Sequence, residues 1–103
     1  MNEKRKELQD ILEYILGSKQ VYFQPPETIK MSYPAIVFSL EDIQNKKANN
    51  KNYLYNYKFN VKFITKFLID DETLNKLFAL DYCTFDRSYK SDGLYHYVFT
   101  IYK

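Results

Sequence analysis

The chain has 103 residues, 46% hydrophobic and 27% charged, the balance of an ordinary soluble domain with one core that needs no disulfide or metal staple. With 15 basic and 13 acidic residues the net charge is +2, too even for a dedicated nucleic-acid binder with a concentrated basic face. One cysteine excludes an internal disulfide, no apolar run reaches the length of a membrane span, and 2 glycines and 3 prolines are too few for a loop-dominated chain.

Residues 3–16 read as the clearest helix. Leu8, Ile11, Leu12, Ile15 and Leu16 recur at helical spacing and form one apolar stripe, with Lys6 and Asp10 on the outer side. Asn2 can cap its start, and Gly17 can end it in the left-handed conformation. No apolar segment with a cleavage site follows the basic N-terminal residues, so the start reads as helix rather than signal peptide, and synthesis in the cytoplasm is expected.

Residues 21–24 form a short strand, stopped by Pro25 and Pro26. After Tyr33-Pro34, residues 35–40 are apolar on both faces, as a central strand requires. Residues 41–52, EDIQNKKANNKN, read as the extended polar tip of a hairpin. The returning strand, residues 51–66, is the longest. Its odd positions from Tyr53 to Phe63 are all aromatic or apolar and its even positions mostly polar, so the odd face is expected on the core.

Asp70 and Asp71 read as the N-cap of a two-turn helix over 73–80, with Leu74, Leu77 and Phe78 buried. Residues 82–89 alternate again. Cys83, Phe85, Arg87 and Tyr89 are assigned to one face and Thr84, Asp86 and Ser88 to the other. Ser91-Asp92-Gly93 is a hairpin turn, and residues 94–102 return as the last strand. The order predicts an α+β fold: a mainly antiparallel sheet with an N-terminal helix and a second short helix packed on one face.

The residues offer little chemistry. Cys83 and His96 are the only thiol and imidazole, and hairpin register sets them four or five residues apart, roughly 13–17 Å. A nucleophile and its base need hydrogen-bond contact. Two such ligands are too few for a zinc site, and Gly17 and Gly93 make no phosphate loop. Glu41 and Asp42, like Asp86 and Arg87, are strand neighbours expected to point to opposite faces. No catalytic residue, metal or cofactor is expected. Abundant tyrosine (11 residues) instead suits a wet protein interface, being apolar in the ring and polar at the hydroxyl.

Four stretches carry a family resemblance: KRKELQDILEYILGS at the start, VYFQPPETIKMSYPAIVFSLEDI, the Asn-rich tip with its Tyr-rich strand, and YCTFDRSYKSDGLYHYVFTIY. In order and spacing they resemble small tail-completion proteins of long-tailed bacteriophages, related in layout to tail terminators. The resemblance spans nearly the whole chain, read as one tail-terminator-like domain over residues 1–103, and no segment is a catalytic signature. The link ITKFLIDDETLN departs from it, having no proline where the family's acidic link carries one.

The resemblance implies a structural virion protein without enzymatic activity. It would form a homo-oligomeric ring, a hexamer in the terminator relatives, that completes the tail tube and joins it to the head connector. Its partners would be further copies, the tail tube protein and head connector proteins, with DNA contact only incidental and no membrane. It would reside in the host cytoplasm during assembly and at the virion head–tail junction afterwards. The interface residues implied are Asn45, Lys46, Lys47, Asn49, Asn50 and Lys51 at the tip, Asn56 and Lys58 on the long strand, and Arg87. Two other classes stand beside this reading. One is a phage interaction module outside the virion, such as an inhibitor of a host protein. The other is a small hydrolase or nucleotide-processing enzyme, a reading that lacks a convergent polar cluster.

Overall fold

Seven elements follow the expected order in a computed structural model of the chain: α1 (Asn2–Leu16), β1 (Val21–Phe23), β2 (Ala35–Ala48), β3 (Asn52–Thr65), α2 (Asp71–Phe78), β4 (Cys83–Ser91) and β5 (Leu94–Tyr102). The structure describes residues 2–27, 29–48 and 52–103, with side chains described at all of these except 2, 45–48 and 52–54. The strands form one sheet in the order β1-β2-β3-β5-β4, parallel between β1 and β2 and antiparallel elsewhere. The fold is α+β, mainly sheet.

Both helices lie on one face of the sheet. The α1 stripe places Leu8, Leu12 and Ile15 in the same buried cluster as Ile36, Phe38, Phe59, Val61, Phe99 and the α2 residue Leu77. Gly17, at φ +78°, ends α1, and its N–H donates to the Glu13 carbonyl at 2.8 Å. A left-handed residue there turns the chain out of the helix, and glycine adopts it without steric cost. α2 starts two residues earlier than the sequence suggests. Asp70 caps it from an extended conformation, its carboxylate accepting the Thr73 N–H at 2.8 Å. Only Leu77 of its apolar residues is fully buried. Phe78 is half exposed and packs edge-on against Phe99, with ring centroids 5.9 Å apart.

The odd face of β3 is core from Tyr57 to Phe63, as its alternation requires. Tyr55 is 49% exposed, because β5 no longer flanks the strand there and α1 meets it through Lys4 of its first turns. The polar stretch after residue 40, expected as a loop, continues β2. Its ladder with β3 persists to Ala48↔Asn52, and residues 49–51 of the expected tip lie outside the described residues. Polar residues suit this length of strand, since no third strand among the described residues pairs with it. Its backbone bonds are satisfied by pairing alone.

Two bulges overturn the alternation read for β2 and β4. The register slips between Leu40 and Asp42, and again between Phe85 and Arg87. An extra residue in a strand puts two neighbours opposite one partner and reverses the faces beyond it. Glu41 and Asp42 therefore share the helix-free face, as do Asp86 and Arg87, where opposite faces were expected.

Candidate functional site

β2 and β3 build an arm. β1 flanks β2 only at residues 36–38, and β5 pairs with β3 only up to Lys58, after which Lys103 exchanges backbone bonds with Tyr57 at 2.8 and 2.9 Å. From Gln44↔Asn56 to Ala48↔Asn52 the ribbon has two strands alone and extends roughly 14 Å at strand rise. The longest dimension of the molecule, 50 Å, is close to the length of β3, about 44 Å.

The root of the arm is braced from α1. Lys4 Nζ lies 5.1 Å from the Tyr55 ring centroid and 5.5 Å from that of Tyr57, and the two rings meet edge to face at 5.6 Å. Such cation–aromatic contacts hold a cation against an apolar face without burying its charge. Ile43, directly opposite Tyr57, is 53% exposed, so the arm's base carries uncovered apolar surface.

The helix-free face of the sheet is polar around a narrow buried strip. Lys58 pairs with Glu41 at 3.3 Å, and the Glu41 carboxylate, first by hydrogen bond and then by charge, holds the lysine pKa above its ordinary value. Thr100 is buried and donates its hydroxyl to the Asp86 carboxylate at 2.6 Å. Val98, 1% exposed, lies between Lys62 and Arg87 across its two ladders, where their long aliphatic stems can shade it. Arg87 stands 5.8 Å from the Tyr89 ring, which stacks flat on His96 at 4.7 Å.

β4 is the other exposed element. It closes one end of the sheet, pairs among the described residues only with β5, and has every residue but Cys83 exposed. Phe85 projects to the helix side and meets Phe99 at 5.4 Å while remaining 45% exposed.

The interface residues expected from the sequence thus fall in separate places. Asn45, Lys46 and Lys47 lie along the arm, with exposed Asn56 at its root, while Asn49, Asn50 and Lys51 are outside the described residues. Lys58 is engaged by Glu41 and is less free than expected. Arg87, opposite Val98, stands on the β4 edge. Lys62, level with Arg87, is eight residues from Leu54 along β3, so the two patches are roughly 27 Å apart. Glu41 and the half-exposed Phe85 and Phe78, each packed on Phe99, were missed. The step from Leu40 to Ile43, three residues between core-facing apolar positions, is the one sequence signal of the first bulge.

Cys83 and His96 are not brought together. Cys83 faces Ile101 on the helix side, and His96 faces Tyr89 on the other, five residues along. Burial, and then the Asp86 charge, push the thiol pKa up to about 11, away from nucleophilic character. His96 Nδ1 lies 3.2 Å from the Leu94 carbonyl. Among the described residues no three His, Cys, Asp or Glu side chains cluster as metal ligands, and no helix is long and apolar enough to cross a membrane. A cleft of about 390 Å³ opens at the root of the arm, between Leu8 and Ile11 of α1 and Tyr82, Tyr102 and Lys103. Compared with known proteins, the chain matches no family model and no curated protein.

Proposed function

We propose that the chain is a structural assembly protein of a long-tailed bacteriophage, a homo-oligomeric ring at the head–tail junction that completes the tail tube and joins it to the head connector. The observation that carries this reading is the arm. It extends beyond the core as a two-stranded ribbon whose outer backbone edges have no partner strand among the described residues, as an assembly element does. A ring needs two different patches on each copy, so that one binds the other on the next copy and the rotation closes. The arm and a sheet edge are two such patches. The order of the resembling segments supports the phage assignment. Individual contacts can be weak, because docking on a symmetric tube raises the effective concentration and closes the ring.

The test is genetic. Deleting the gene should leave filled heads and unjoined tails, or tails of uncontrolled length. Replacing residues 45–55 by an Asn-Gly turn between Gln44 and Asn56 shortens the arm in register, and should reproduce that phenotype with a folded protein. Normal virions from the deletion would exclude the role. They would favour the second reading, a phage interaction module outside the virion, to which the free β4 edge with its exposed Phe85 lends support.

A further inference from the structure

An exposed edge strand invites another strand to pair with it, and natural proteins usually block it with a bulge and with charges. β4 carries both, but its block is self-complementary. The bulge puts Thr84, Asp86, Arg87 and Tyr89 on the helix-free face, and Cys83, Phe85, Ser88 and Lys90 on the helix face. Two successive residues share a face only at Asp86 and Arg87, so the pattern of faces reads the same in both directions from the midpoint between them.

We propose that two copies of this chain pair antiparallel through β4, across a twofold axis at that midpoint. Asp86 then lies opposite the partner's Arg87, and Arg87 opposite the partner's Asp86. Phe85 meets the partner's Ser88, Thr84 the partner's Tyr89, and Cys83 the partner's Lys90. Every pair matches faces, and the two charge pairs are reciprocal. A regular strand has no such register. Centring it between two residues sets opposite faces together, and centring it on residue 86 or 87 sets like charges together.

Three features of the free chain agree with this pairing. Asp86 and Arg87 are both exposed, and neither has an ion-pair partner among the described residues. The outward edge of β4 has no partner strand among the described residues. Phe85 and Phe78, both packed on Phe99 and both about half exposed, lie at this edge on the helix face, and the axis would bring two such clusters to one seam. The pairing describes the free protein and does not rest on the head–tail role. A ring that used the β4 edge would have to open it.

Sedimentation and light scattering of the purified chain test it, with circular dichroism as the control for folding. The wild type should dimerise. Arg87→Asp and Asp86→Arg each turn both attractive pairs into like-charge pairs and should weaken dimerisation about tenfold or more. Mixing the two variants should restore dimers, because one copy then presents two arginines and the other two aspartates. The double variant Asp86→Arg/Arg87→Asp should dimerise with itself. A monomeric wild type overturns the proposal. So do single variants that dimerise as the wild type does, or a mixture of folded single variants that remains monomeric.

Discussion

Asp86 and Arg87, neighbours in the chain, project from the same face of the sheet. The bulge after Phe85 makes this possible, and Asp86 uses it to accept the hydroxyl of Thr100, a buried residue on the adjacent strand. One inserted residue therefore satisfies a buried polar group and leaves a charge of each sign at the edge of the fold.

Asp86→Ala should destabilise the protein by about 1–3 kcal/mol, the cost of a buried donor left without a partner. Asp86→Asn, which keeps an acceptor oxygen, should cost less. Thr100→Val in the Asp86→Ala background should recover part of the loss, since no orphan hydroxyl then remains. Urea denaturation of the three variants checks the order. Equal losses for Asp86→Ala and Asp86→Asn would mean that the hydrogen bond contributes nothing.

The two ends of the aromatic face of β3 should differ. Phe59 is fully buried, and Phe59→Ala should cost about 3–5 kcal/mol. Tyr55→Ala, on the same face but beyond the core, should cost far less, since Tyr55 is half exposed. Chemical melts that rank the two the other way would mean that the arm, and not the sheet, carries the core.

Asp70 links α2 to pH. Hydrogen bonds from the Thr73 side chain and backbone hold its carboxyl below the usual pKa. A group more acidic when folded stabilises the fold fully above its unfolded pKa, and loses that contribution as pH falls through the folded one. Asp70→Ala should therefore melt at a lower temperature than the wild type at neutral pH, with the two curves converging in acid. Asp70→Asn should retain most of the cap at neutral pH. A gap between wild type and Asp70→Ala that stays constant down to strongly acidic pH would exclude the charged cap.

Cys83 should react slowly with thiol reagents. Its pKa is pushed from 9.0 to about 11, which lowers the thiolate fraction near pH 8 on the order of a hundredfold relative to the unfolded chain. Iodoacetamide labelling followed by mass spectrometry, with and without denaturant, measures this. Native labelling as fast as denatured labelling would show a thiol that is neither buried nor suppressed.

Local order and side-chain periodicity were legible in the residues alone. The stripe from Leu8 to Leu16, the alternation from Tyr57 to Phe63, the Asp70 cap and the turn at 91–93 each follow from neighbours a few positions apart, and all stand in the structure. Tertiary structure decided the rest. No local pattern states that β5 inserts between β3 and β4, or that β1 runs parallel to β2, because strand partners are chosen by how distant apolar faces pack together. The hairpin and its extended polar tip were legible, but not that the ladder runs on to Ala48, because polar residues without an apolar alternation resemble those of a loop. The second bulge was hidden because an inserted residue bears no chemical mark, and the first showed only in the step from Leu40 to Ile43. Asp86 and Arg87 read as an ordinary alternating pair, and only the ladder to β5 turns them to one face, where they form the charged centre of the free edge.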